Sequence, residues 1–102
     1  MDKETIKSKI LNEIERNPAK AKIKKVSLFG SYLLDGYRDD SDVDVLIEFK
    51  PDAKIGFFEL SRLQDELKQT LNTEVDLVTP EALSKYFRSE VLSQAELVYE
   101  GK

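Results

Sequence analysis

The sequence predicts an α/β (α+β) fold in which a small mixed sheet of three to four strands is covered by helices. Apolar residues recur three or four positions apart in two long segments, and they alternate with polar residues in a segment between them. Because 40% of the 102 residues are apolar, the chain can bury one modest core. We therefore expect a single domain that spans residues 1–102.

The N-terminal third predicts a helix, a strand and a tight turn. From Asp2 to Glu15, isoleucines stand four positions apart, which is typical of an amphipathic helix, and Asn17-Pro18 ends it. Val26 to Phe29 is a short β-prone run that stops at Gly30. Ser31 to Asp35 then favours one or two helical turns.

The middle of the chain predicts a second strand, a long helix and a third strand. Apolar side chains alternate from Asp42 to Phe49, as in a strand with two different faces. Leucines three or four positions apart predict a helix over Gly56 to Leu71. Glu74 to Val78 is another β-prone run, so we expect a third strand there.

The C-terminal segment predicts one more helix and an edge strand. Thr79 followed by Pro80 is typical of a helix start, and we expect the helix to run to about residue 95, with a break near Arg88. Leu97 to Tyr99 is then expected to form an edge strand.

Composition excludes several classes of chemistry. The chain has no Cys and no His, which removes thiol nucleophiles, Cys/His zinc sites and imidazole acid–base catalysis. Its 16 basic and 20 acidic residues give a net charge of −4, so we expect no direct nucleic-acid partner. There is no apolar run of membrane-spanning length, and the N-terminus is unlike a signal peptide. We therefore expect no membrane partner and a cytoplasmic protein.

Three carboxylates are candidate ligands for a cation. Asp42 and Asp44 project from the same face of the predicted second strand, with Cα atoms roughly 6 to 7 Å apart. Asp76 lies in the next strand and faces the same side if the two strands are neighbours. Oxygen-only ligands suit Mg²⁺ or Mn²⁺, whose natural companion is a polyphosphate. The alternative is a strand edge whose acids simply face water.

Gly30 and Ser31 form a candidate anion site. They follow a strand and open a short predicted helix, where backbone N–H groups favour a phosphate and glycine lets it approach the main chain. A common turn is the alternative interpretation. The two motifs are more informative together than apart. Gly-Ser, ten residues and then Asp-x-Asp would put an anion site beside a pair of carboxylates that can bind a cation. A calcium loop at Asp40 is excluded, because its sixth position is Val45 instead of Gly.

At Leu28-Phe29-Gly30-Ser31 and Asp42-Val43-Asp44-Val45-Leu46-Ile47, the sequence resembles the minimal nucleotidyltransferase (MNT) domains of the polymerase-β-like superfamily. Val75 to Leu83 is similar to the segment that carries this family's third acid. Chains of this type are similar to the antitoxin half of HEPN/MNT toxin–antitoxin pairs. The resemblance implies transfer of AMP from ATP to a tyrosine of a HEPN ribonuclease toxin.

By the same resemblance, Gly30 and Ser31 would bind the triphosphate of ATP. Asp42, Asp44 and Asp76 would be the catalytic residues and the Mg²⁺ or Mn²⁺ ligands, with Asp76 either completing the metal site or accepting the proton of the attacking hydroxyl. Such metals would offset the charge of the pyrophosphate that leaves.

The sequence departs from the family at one point. Many relatives have Ala-Arg-Gly shortly after Gly-Ser, whereas this chain has Leu33-Leu34-Asp35-Gly36, which removes a cation and adds an acid. Arg38 is a candidate replacement. Two other functions therefore stay open: an MNT-fold antitoxin that neutralises its partner by binding alone, and a nucleotide- or cation-sensing module.

The aromatic residues have a plainer interpretation. Those in the predicted helices, Phe57, Phe58, Tyr86 and Phe87, are expected in the core, with any surplus serving a protein partner. Tyr32 is expected to pack as well, with stacking on a nucleotide base as the alternative. Glu48 shares the aspartate face, but it lies roughly 13 Å from Asp44 along the strand, too far to reach a shared metal.

Overall fold

The computed structural model describes residues 2–30, 42–86 and 88–101. These residues form three α-helices, two short 3-10 helices and four strands. In chain order the helices and strands are α1 (Lys3–Glu15), a 3-10 helix (Pro18–Lys22), β1 (Ile23–Phe29), β2 (Val43–Phe49), α2 (Phe57–Leu71), β3 (Val75–Val78), a 3-10 helix (Pro80–Ala82), α3 (Arg88–Gln94) and β4 (Glu96–Glu100).

The four strands form one sheet in the order β3-β2-β1-β4. β2 is antiparallel to β1 and parallel to β3, and β4 is antiparallel to β1. The sheet is therefore mixed, as predicted, with β2 in a central position and α2 as the crossover that returns the chain from β2 to β3. Because β1 and β2 are antiparallel, the end of β1 lies beside the beginning of β2.

The core lies between one face of this sheet and the helices α1 and α2. The isoleucines of α1 and the leucines of α2 form one buried cluster with alternate residues of the strands. On β2 these are Val43, Val45 and Ile47, each 0% exposed. Leu46 is 1% exposed but is not part of that cluster, because side chains alternate and it lies on the opposite face. The 3-10 helix Pro80–Ala82 contacts β2.

Local hydrogen bonds explain where α1 begins and how its end is attached. Asp2 caps the helix, accepting from the Thr5 N–H at 2.8 Å, and this bond lowers the pKa of its carboxyl group. Asn17 caps the following 3-10 helix by accepting from the Ala19 N–H at 2.9 Å. This turn brings the chain into β1 at Ile23, three residues before the predicted start of that strand.

A buried carboxylate joins α1 to α2. Glu13 is 7% exposed, and it accepts hydrogen bonds from Thr70 at 2.7 Å, Arg16 at 3.1 Å and Asn17 at 3.2 Å. Burial by itself raises the pKa of Glu13, but the three hydrogen bonds outweigh it, so the pKa lies below its ordinary value. Asn17 also donates to Glu66 of α2 at 2.9 Å. The network therefore satisfies a charge that the helix interface buries.

The helix predicted from residue 79 to about 95 is confirmed from its break near Arg88 onward, as α3, and is wrong ahead of that break. The segment starts with a 3-10 helix, but Leu83 has an extended backbone with φ −81° and ψ 145°, and α3 begins at Arg88. The Arg88 guanidinium donates to the Leu83 carbonyl at 3.0 Å, which holds the connection closed. Thr79 makes no side-chain cap hydrogen bond, so nothing on that side chain favours a longer helix.

The expected core packing of three aromatic residues is also wrong. Phe57, Phe58 and Tyr86 are 78%, 82% and 87% exposed. Phe57 and Phe58 are the first residues of α2 and touch each other edge to face. The buried residues of α2 begin only at Leu63, so the first turn of the helix lies outside the core. Phe87 and Tyr32 lie outside the described residues.

No helix within the described residues combines the length and the apolar character that a membrane crossing requires.

Candidate active site

The two acids that the sequence placed on separate strands lie side by side. β2 and β3 run parallel, and Asp44 and Asp76 are direct Cα partners in their register. Neighbouring strands are about 4.8 Å apart, and directly paired residues point to the same face. Asp44 is partly buried and Asp76 is exposed. The condition on which the shared carboxylate face depended, that these strands are neighbours, is therefore met.

Gly30 lies against Asp44 from the other side. Phe29, the last residue of β1, is the Cα partner of Asp44, and Gly30 follows it with φ at 79°. A Cβ at Gly30 would come within 2.8 Å of the Asp44 Cγ and would collide with its Oδ2. Both the positive φ and the close approach require glycine at this position.

These contacts place the Gly30 main chain, Asp44 and Asp76 side by side at the ends of three neighbouring strands. Asp42 is exposed and lies one residue before β2, at the same end of the sheet. Ser31 lies outside the described residues, as do the Leu33-Leu34-Asp35-Gly36 segment and Arg38. The assignment of Gly30 and Ser31 to the triphosphate and of the three aspartates to catalysis stays a prediction.

The carboxylates at this end of the sheet could supply some, but not all, of the oxygen ligands of a hard divalent cation. Within residues 2–30, 42–86 and 88–101, no three acidic side chains stand close enough to enclose a cation by themselves. Mg²⁺ commonly binds one or two carboxylates and takes its other ligands from water and substrate phosphates, so the pair of Asp44 and Asp76 suits it. Because Gly30 has no Cβ, the Asp44 carboxylate can occupy the space that a Cβ would fill.

The row next to the two aspartates on this sheet face carries no charged side chain among the described residues. In this row Ser27 pairs with Leu46 and Leu46 with Val78. Ser27 and Leu46 are 5% and 1% exposed, so solvent hardly reaches the sheet in the row next to the acidic pair. Glu48 lies one row further and pairs with Lys25, in agreement with its predicted distance from Asp44.

Sequence reasoning missed a contact on the outer side of β3. The Leu77 N–H, next to Asp76, donates to Oε1 of Gln64 in α2 at 3.0 Å. Gln64 lies between the buried leucines of α2, where its spacing marks it only as a flanking polar residue. No sequence signal pairs it with β3, because the contact depends on how α2 packs beside the sheet edge.

Comparison with known proteins identifies the family of this chain. The family model described as "Nucleotidyltransferase domain" matches residues 7–98, which includes all four strands up to the middle of β4. The chain belongs to the nucleotidyltransferase domain family. The predicted family and the predicted enzyme class are thereby confirmed.

Two relatives of this chain are named as protein adenylyltransferases. A candidate protein adenylyltransferase of Methanocaldococcus jannaschii is 34% identical over 83% of this chain and 94% of its own length. The protein adenylyltransferase MntA of Thermococcus cleftensis is 31% identical over 76% of this chain and 74% of its own. The chain is thus a minimal nucleotidyltransferase related to protein adenylyltransferases.

Solved structures confirm the fold. A candidate minimal nucleotidyltransferase superposes with a TM-score of 0.74, at 29% identity, over 93% of this chain and 94% of that one. A toxin–antitoxin complex crystallised with AMP-PNP gives 0.72 at 23% identity, over 94% of this chain and 74% of that one. A tri-AMPylated Shewanella oneidensis HEPN toxin in complex with its MNT antitoxin gives 0.67 at 21% identity, over 96% and 72%. At these lower identities the likeness concerns the fold alone.

Proposed function

We propose that this minimal nucleotidyltransferase is an antitoxin that transfers AMP from ATP to a tyrosine hydroxyl of a HEPN-type ribonuclease toxin. The observation that carries the proposal is the direct pairing of Asp44 with Asp76, with the Gly30 main chain against Asp44. Two further facts support it: relatives are named protein adenylyltransferases, and a protein of the same fold was solved with an AMPylated HEPN toxin. An ATP-dependent reaction of this kind belongs in the cytoplasm.

In this proposal the residues have distinct tasks. The N–H groups after Gly30, with the Ser31 hydroxyl, bind the triphosphate and hold its α-phosphorus near the acidic pair. The acceptor oxygen attacks that phosphorus, the bond to the pyrophosphate oxygen breaks, and the hydroxyl proton passes to Asp76 or to solvent. Most of the rate enhancement then comes from positioning and electrostatics.

The carboxylates of Asp42, Asp44 and Asp76 are the groups that would hold Mg²⁺ or Mn²⁺, together with water and the phosphates of ATP, since the three carboxylates do not enclose a cation by themselves. A divalent cation bound there supplies positive charge that offsets the charge of the leaving pyrophosphate. The direct pairing of Asp44 with Asp76 supports this assignment because it brings two carboxylates together at one end of the sheet, where one divalent cation can bind both.

A catalytically silent antitoxin is the second candidate. The observation that favours it is Leu33-Leu34-Asp35, which stands where many relatives have an arginine. Such a protein would neutralise its partner by binding alone, and the acidic pair would then have no effect on neutralisation.

One experiment separates the two candidates. The protein encoded by the neighbouring reading frame is incubated with this chain, ATP and Mg²⁺, and the intact mass of that protein is measured. An Asp42→Asn/Asp44→Asn variant serves as the control. One or more added adenylates that disappear in the control would support transfer. A stable complex and full neutralisation without any mass gain would overturn transfer and favour binding alone.

A further inference from the structure

β3 is a short edge strand that carries one of the proposed catalytic acids. It has four residues, and among the described strands it pairs with β2 alone. The Val43 N–H donates to the Glu74 carbonyl at 2.9 Å, which begins the parallel ladder. In such a ladder alternate residues turn their main-chain groups toward the partner strand, so the N–H of Leu77 points away from β2.

The outward N–H of Leu77 is taken by α2. Gln64 Oε1 accepts it at 3.0 Å, in a partly buried contact. Gln64 stands next to Leu63 and one turn before Leu67, which are 2% and 0% exposed, so its backbone belongs to a helix anchored in the core. Through this bond the edge strand is attached to a fixed element at the peptide that follows Asp76.

We propose that Gln64 is a positioning residue that keeps Asp76 in register with Asp44. The inference rests on the proposed function only in giving Asp76 a catalytic task. The ladder to β2 and the burial of Val75 and Leu77 also hold β3, but both act on its β2 side and on its core face. The Gln64 bond acts on the outward N–H of the peptide that follows Asp76. The Gln64 bond opposes outward movement of β3 at the position where that movement would separate the acids.

The test uses four full-length proteins. Gln64→Met removes the acceptor but keeps a side chain of similar length and helix propensity. Gln64→Glu keeps an acceptor at the same place and is the rescue variant. Gln69→Met is the matched control, because Gln69 is exposed on the same helix. Each protein is compared with the parent for kcat and KM for ATP, for hydrogen exchange of the Leu77 amide, and for Mn²⁺-induced broadening of Asp76 by NMR.

We expect Gln64→Met to lower kcat about tenfold or more while KM for ATP changes less, since supporting residues of metal sites commonly cost this much. The Leu77 amide should exchange faster, and Mn²⁺ should broaden the Asp76 signal less strongly. Gln64→Glu should recover most of both, and Gln69→Met should match the parent. Parental kcat in folded Gln64→Met, or no recovery in Gln64→Glu, would overturn the inference.

Failure of the proposed function gives a different pattern. If the parent protein neither transfers AMP nor shows Mn²⁺ broadening at Asp76, the proposed function fails. The positioning role then depends on hydrogen exchange together with the chemical shift of Asp76: both must move in Gln64→Met and not in Gln69→Met. If only the stability of the whole protein falls, with the Asp76 signal unchanged, Gln64 has a general structural role and the inference is overturned.

Discussion

The two faces of β2 differ in burial and in chemistry although they belong to the same seven residues. On the face toward α1 and α2, Val43, Val45 and Ile47 are completely buried, and the buried Glu13 between those two helices accepts three hydrogen bonds. On the other face, Asp44 is partly exposed and lies beside Asp76, another acid. Stability and activity are therefore carried by different side chains of one strand, and substitutions should separate them.

The largest expected effect is on stability, from the buried face. Ile47→Ala should lower the free energy of unfolding by about 3 kcal/mol, because it removes fully buried methyl groups and leaves a cavity. Glu48→Ala, one residue along on the opposite face, should change it by less than about 0.5 kcal/mol. Urea unfolding measures both. Equal losses in the two variants would contradict the division between the faces.

The next effect is on activity, from the acidic face. Asp76→Asn should lower kcat/KM for AMP transfer by about a hundredfold or more, which is about 2.7 kcal/mol of transition-state stabilisation. Its free energy of unfolding should change by less than about 0.5 kcal/mol, because the residue is exposed. Asp65→Asn, exposed on α2, is the matched control and should retain activity. A marked loss of stability in Asp76→Asn would contradict the expectation that the acidic face of β2 and β3 affects activity and not stability.

Gly30 is the position where both properties should change together. Gly30→Ala should lower the free energy of unfolding by about 2 kcal/mol, since the left-handed backbone is strained and the added Cβ meets the Asp44 side chain. Transfer should fall as well, because the displaced group is the Asp44 carboxylate. Gly56→Ala, where an added Cβ has nothing within 4 Å, should cost less than about 1 kcal/mol and spare activity. Unfolding curves and transfer rates for the two alanine variants decide the point.

The smallest effect concerns pH and the buried face. The pKa of Glu13 is lower in the folded protein than its ordinary value of 4.5, so its ionised form stabilises the fold at neutral pH. That contribution is lost as the pH falls from about 4.5 through the lower, folded-state pKa. Glu13→Gln should cost about 1 kcal/mol at pH 7 and make stability fall less steeply in acid. Glu4→Gln, exposed on the same helix, should leave the pH profile unchanged.

The elements that sequence reasoning predicted well are those whose burial has a regular period. α1 and α2 bury stripes at helical spacing, and β2 alternates, so their bounds agree with expectation within a residue. The segment from residue 79 to 95 has no such stripe, since α3 has no buried residue, and there the helix predicted ahead of the break near Arg88 is wrong. Phe57 and Phe58 are mispredicted for a related reason. The spacing of apolar residues along a helix does not show which of its turns lie outside the core.

The sequence by itself determined the residue types of the candidate site, the placement of Asp42 and Asp44 at the start of one strand, and the family. These depend on local geometry and on spacing along the chain. The tertiary structure alone decided that β3 lies parallel to β2 with Asp76 opposite Asp44, that the Gly30 main chain meets the Asp44 side chain, and that Gln64 holds β3. The choice of neighbouring strand follows from how the whole sheet and its helices bury their apolar faces together, which no local pattern records.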